Sequence, residues 1–196
     1  MKIFSQSRWL MLLGIVALAG VFLFPLWQIT LEAAQFPGGL RLNIWINKFS
    51  GDEGGGDIIG NINILNHYIG MQKIEPDSIP ELKYFPIVVY VMMALGLLAA
   101  IINKAWMYWT WFALMVILAA LGVYDFYLWM YDYGHNLDPT APIKVEGQTY
   151  MPPLFGEKDL LNFYVKSYPH WGTILMSAGI FLSFMAAWFK TKLNRS

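Results

Sequence analysis

The sequence predicts an all-α membrane protein: four transmembrane helices with a small mixed extracytoplasmic cap built from two long loops. Three observations lead there. Four apolar runs, about 10–26, 85–102, 106–124 and 171–189, each approach the ~17–25 residues with which a helix crosses a bilayer. Only basic residues flank one side of those runs: Lys2 and Arg8, Lys104 in the short turn, and Lys190, Lys192 and Arg195. Every carboxylate and every histidine falls instead in the two long connections, 28–84 and 125–170. The positive-inside rule then puts both termini and the Lys104 turn in the cytoplasm and both long loops outside. The chain reads as a single membrane domain, 1–196.

Composition agrees. Hydrophobic residues make up 57% of the chain, and a soluble domain of this length rarely carries four uninterrupted apolar runs. The formal charge balances to zero, which argues against a nucleic-acid partner. The absence of cysteine excludes disulfides, thiolate metal sites and covalent haem attachment.

The first run follows a basic start, as a signal peptide would. No small-residue cleavage pattern follows Pro25-Leu26-Trp27, so it is read as a retained helix. Trp9 and Trp27 bracket it, Trp106, Trp109 and Trp111 open the third run, and Trp171 and Trp188 bracket the fourth. Such rings prefer the headgroup boundary, so they read as interfacial anchors. Small residues around Gly14 and Gly20, Gly96, Ala119 to Gly122, and Ser177 to Gly179 mark expected helix contacts. No charge lies near a helix centre, which argues against an ion pump or a charged-substrate transporter. Asp125, at the outer end of the third run, is the borderline case.

In the first loop, Leu40, Leu42, Ile44 and Ile46 alternate with Arg41, Asn43, Trp45 and Asn47, the period of a half-buried strand. The glycine-rich stretch from Gly51 to Gly56 reads as a turn. Ile58, Ile62, Leu65 and Ile69 then fall at helical spacing, with Asp57 as N-cap and Gly70 as stop. Alternation of Ile62 and Ile64 leaves a strand open there. Pro76, Pro80 and Pro86 stiffen the return to the membrane. The second loop continues the third helix through Tyr131. Leu160, Leu161, Phe163 and Tyr164 then predict an amphipathic turn or two on the outer surface. The two loops are expected to pack together.

Three histidines are the main candidates for chemistry. Asn63, His67 and Met71 share a helix face at four-residue spacing. An imidazole with a thioether suits copper, Cu(I) above all. The same residues also serve as a helix end and a gap filler. Asp132 and His135, three apart, read as a carboxylate-oriented metal histidine or a general base. Gly134, Asn136, Asp138 and Pro139 equally suit a helix end and turn. His170 opens the fourth helix as a cap, a headgroup contact or a quinone-headgroup donor. No nucleophile–base pair or zinc spacing occurs, and Gly54-Gly55-Gly56 lacks the Lys-Ser/Thr of a phosphate loop. The expected role is therefore non-enzymatic.

Several segments carry a family resemblance. Pro25-Leu26-Trp27, Gln35-Phe36-Pro37-Gly38-Gly39-Leu40 and Asn63-Ile64-Leu65-Asn66-His67-Tyr68-Ile69-Gly70-Met71 resemble the first outer loop of a family of small polytopic membrane proteins. Asp132-Tyr133-Gly134-His135-Asn136-Leu137-Asp138-Pro139, Pro152-Pro153-Leu154-Phe155-Gly156 and Leu161-Asn162-Phe163 resemble its second. That family is associated with nitrous oxide reductase gene neighbourhoods, beside copper-site assembly factors. The resemblance implies an inner-membrane accessory protein in the bilayer, with a periplasmic or membrane protein partner from a copper-enzyme system. It would act in maturation of that enzyme or in electron supply to it. His67, Met71, Asp132 and His135 are its matched positions, with copper the metal implied. The alternatives are a quinol-handling redox subunit using His135 and His170, or a docking scaffold.

Overall fold

Three helices long and apolar enough to cross a membrane organise the chain, and a small antiparallel sheet sits at one end of them. The computed structural model describes residues 6–33, 36–51, 56–143, 147, 149–161 and 163–193. The long helices are α3 (Glu81–Ile102), α4 (Ala105–His135) and α5 (Trp171–Leu193). The first predicted span is α1 (Gln6–Ala19), continued by a 3-10 turn to Phe22. It starts and stops about four residues earlier than its hydropathy suggests, because the chain turns at Pro25 and enters the sheet at Trp27. At 1.5 Å per residue the Gln6–Phe22 stretch is about 25 Å long.

Glycines let α1 cross α5 at backbone contact. A Cβ on Gly179 would sit 2.7 Å from the Gly14 carbonyl, and one on Gly14 would sit 3.0 Å from that of Gly179. Gly96 of α3 instead receives the side chains of Ile15 and Met11. Close approach of small residues is what holds helices together when lipid competes for the same apolar surface. Gly122 differs: among the described residues nothing lies within 4 Å of its Cβ position, so that expected contact is not made among them. Two of the predicted anchors also turn inward. Trp111 is 2% exposed and donates to the Met92 carbonyl at 2.7 Å, and Trp109 donates to Thr191 Oγ1 at 3.0 Å. Trp106, by contrast, is 62% exposed.

The sheet has the order β3-β2-β1-β5-β4, all antiparallel. The predicted strand at Leu40–Ile46 is β2 (Phe36–Ile44), and β3 is Phe49–Ser50. The central strand, β1 (Trp27–Ala33), is not among the elements expected from the sequence. The predicted amphipathic turns at 160–164 are instead a hairpin of β4 (Gly156–Leu160) and β5 (Phe163–Pro169). The physical reason is period two: Val165 and Ser167 are fully buried, while Tyr164, Lys166 and Tyr168 alternate with them toward solvent. Leu161 makes the turn with a φ of 55°.

The helix expected after Asp57 is α2 (Ile58–Ile69). Asp57 Oδ1 accepts from Gly60 N at 2.9 Å, and Gly70 ends the helix with a φ of 80°. The glycine-rich turn before it falls on residues 52–55, outside those described. One face of the sheet buries Leu40, Leu42, Ile29 and Val165 against Ile58 and Ile62 of α2 and Met130 and Tyr133 of α4. The opposite end of the helices gathers the described basic residues Arg8, Lys104, Lys190 and Lys192. Arg8 donates to the Ile101 carbonyl there at 3.2 Å.

Candidate functional site

Segments 63–74 and 132–143 meet at the sheet end of the molecule. The contact is built largely from backbone. Asp138 N donates to the Gly70 carbonyl at 2.8 Å, and Ile143 N donates to the Tyr68 carbonyl at 2.9 Å. Tyr133 OH donates to the Lys73 carbonyl at 3.1 Å, and Gln72 Nε2 donates to Asp132 Oδ2 at 3.2 Å. Residues about sixty to seventy-five apart in sequence thus form one surface.

The asparagines of the first segment explain how that surface is held. Asn63 clasps Ile74 from both sides: its Oδ1 accepts from Ile74 N at 2.7 Å and its Nδ2 donates to Ile74 O at 3.0 Å. Asn66, 5% exposed, donates to the Gln72 carbonyl at 3.0 Å. An amide side chain carries both a donor and an acceptor, so it can pair with a backbone strand as another strand would. These residues fold the chain after Gly70 back along α2. Spacing puts Asn63 on the face of His67, and its structural role is this clasp.

His67 is exposed on α2, with its ring 6.0 Å from that of Tyr68. Met71 is half-buried and lines an apolar cavity under the sheet. Asp132 is exposed and bonded to Gln72. His135 ends α4, stacked on Tyr131 at 3.9 Å, with Nδ1 2.9 Å from the Tyr131 carbonyl. A carbonyl only accepts, so the Nδ1 of the neutral ring carries the proton and Nε2 keeps its lone pair. Among the described contacts, Asp132 meets Gln72 and His135 meets Tyr131, neighbours that spacing does not suggest. Among the described residues, no three His, Asp or Glu side chains form a metal-holding group. His67, Met71, Asp132 and His135 lie on the two joined segments. His170 lies at the start of α5, its backbone N bonded to the Leu26 carbonyl at 2.8 Å and its Nδ1 buried without a partner.

On the solvent face of the sheet, Glu157 accepts from the hydroxyls of Tyr164 and Tyr168, the latter at 3.2 Å. Lys166 pairs with Glu32 at 2.7 Å, tying β5 to β1. The bond to Glu157 pushes the Tyr164 phenol up to about 12 and holds the Glu157 carboxyl below its ordinary range. A raised phenol keeps its contribution below its ordinary value near 10 and loses it as pH rises through about 12. A lowered carboxylate keeps its contribution above 4.5 and loses it as pH falls through the lowered value. In a tyrosinate absorbance titration, Glu157→Gln should bring the latest-titrating phenol back toward 10. An unchanged titration curve would show that the bond does not form.

Comparison with protein-family models, curated proteins and solved structures returns no match to this chain.

Proposed function

We propose that this is a non-enzymatic inner-membrane accessory protein that acts at the periplasmic face in maturation of, or electron supply to, a copper enzyme of the nitrous oxide reductase type. In this reading α1 crosses the bilayer with α3, α4 and α5, and both termini are cytoplasmic. The sheet, α2 and the end of α4 form a periplasmic cap. Basic residues at one end of the helices and carboxylates at the other support that orientation. The observation that carries the role is the joining of the two family-like segments, through Asp138 to Gly70 and Gln72 to Asp132, into one surface bearing His67 and His135. Copper here is cargo, met by few and exposed ligands, as release to another protein requires.

The test is the double variant His67→Ala with His135→Ala in a strain that makes the partner reductase. The copper content and activity of that enzyme should fall by about tenfold while the variant stays in the membrane, the size of effect seen when a metal-supporting group is lost. Unchanged copper content ends the metal-handling reading. One feature favours a second reading, a docking scaffold for a periplasmic protein. Ile64, Tyr68 and Ile143 are 56%, 49% and 46% exposed around His67, a patch apolar enough to seat a partner. The scaffold reading predicts that Tyr68→Asp abolishes co-purification of the reductase while the histidine variants leave it intact.

A further inference from the structure

One end of the sheet lies level with the start of α5. β5 leads through His170 directly into that helix, which is long and apolar enough to cross a membrane. The junction is pinned to the stretch that follows α1: His170 N and Gly172 N donate to the Leu26 and Pro25 carbonyls, both at 2.8 Å. β4 pairs antiparallel with β5, with Gly156 beside Ser167 and Leu160 beside Phe163. The first residue of β4 is therefore the one nearest α5, and Phe155 comes just before it.

Residue character changes in steps along this face. At the α5 end stand Phe155, 66% exposed, and Tyr168, 40% exposed, with ring centroids 5.3 Å apart. One step farther out Glu157 lies opposite Lys166, and beyond it Asp159 lies opposite Tyr164. Tyr168 spans the change: its ring meets Phe155, and its hydroxyl donates to Glu157 at 3.2 Å. Toward the helix, Trp171 and Ile174 are 58% and 50% exposed within the first turn of α5. Apolar, then amphipathic aromatic, then charged is the order met on leaving a bilayer. The chain before Phe155 suits the same level. Pro152 and Pro153 have no N–H to strip of water, and the Leu154 carbonyl accepts from Ser167 Oγ at 3.2 Å.

We propose that Phe155 and Tyr168 dip into the lipid leaflet at the sheet end, making the loop 152–155 a membrane attachment additional to the helices. The bilayer is the partner of this patch because the patch continues the exposed apolar end of α5, while the charged rows beyond it hold the rest of the sheet in water. The attachment depends on α5 crossing the bilayer, and not on copper handling or on which side the cap faces.

The chain has no cysteine, so one label can be placed at a time. Phe155→Cys, Asp159→Cys and Phe181→Cys, each carrying a nitroxide, are made in the full-length protein and reconstituted into phosphatidylcholine vesicles. Phe181, 61% exposed in the middle of α5, marks the lipid. Oxygen concentrates in the bilayer, and a nickel chelate present on both sides of the vesicle stays in water; each relaxes the labels it reaches. Positions 155 and 159 are separated by up to about 13 Å along an extended strand. The polar layer on each side of the hydrocarbon is only about 5–8 Å thick. Nickel relaxation should therefore be lost at 155, as at 181, and kept at 159, with oxygen relaxation at 155 approaching that at 181. Equal nickel relaxation at 155 and 159, with 181 still shielded, overturns the proposal and leaves the span of α5 standing. Weak relaxation of 155 by both reagents also overturns it, because protein, from the same chain or a second copy, then covers the ring. Nickel relaxation at 181 removes the span and the attachment together.

Discussion

Gly134→Ala should be among the most damaging single-methyl additions in this protein. A Cβ at that position would fall well inside 3.0 Å of the Met151 backbone, against both its N and its Cα. Backbone cannot rotate away as a side-chain tip can. The same crossing is fixed from the other side, since Tyr150 N donates to the Gly134 carbonyl at 2.9 Å. The chain must therefore lift off the last turn of α4 and carry Tyr150 with it. Overpacking of this kind costs about 3 kcal/mol, a large share of the 5–15 kcal/mol that holds a typical domain together. Thermal unfolding in detergent, followed by near-ultraviolet circular dichroism, should show a clear drop in midpoint. Gly122→Ala is the internal control with the opposite sign. It sits in the same helix, meets nothing within 4 Å, and gains helix propensity. If Gly134→Ala unfolds at the parental temperature, the close crossing of α4 by Met151 is wrong.

How much of this was legible in the sequence depends on the range of the interaction. The long helices follow from hydropathy alone, because lipid selects composition residue by residue. The ends of α2 follow from Asp57 and Gly70, whose partners lie within a turn. β2 follows from its own alternation. β1 has the same alternation, with Ile29 buried between Gln28 and Thr30, but it begins on a tryptophan at the end of an apolar run. That position imitates a membrane anchor, whereas Trp27 in fact donates to Ser167 Oγ at 2.8 Å across the sheet. The hairpin of β4 and β5 was hidden by its turn. Leu161 takes a positive φ without the glycine or asparagine that usually announces one. At the candidate site, spacing brought His135 toward Asp132 and His67 toward Met71. It could not show that Asp132 is met by Gln72, or that Met71 turns under the sheet. Those contacts join distant segments and leave no local periodicity to read.

Separating α1 from α5 should be the other large effect. The two helices touch through Gly14 and Gly179, so Gly179→Leu places a branched side chain where only 2.7 Å separates the new Cβ from the Gly14 carbonyl. The chain has no cysteine, so the contact can be read by an engineered pair. A Cβ at position 14 lies 3.5 Å from that of Leu182, within the 3.5–4.5 Å that a disulfide spans. It also lies 3.0 Å from the Gly179 carbonyl, a contact that eases with a shift of a few tenths of an ångström. Gly14→Cys with Leu182→Cys should therefore close a disulfide under mild oxidation, seen as protection of both thiols from a maleimide mass tag after denaturation. Adding Gly179→Leu should lower that yield about tenfold, the ratio set by a 1.4 kcal/mol penalty within the usual range for overpacking. Gly122→Leu, which faces open space, should leave the yield unchanged. If the pair fails to cross-link without Gly179→Leu, α1 does not pack on α5 as described. A yield unmoved by Gly179→Leu would mean that the glycine pair does not set the distance between these helices.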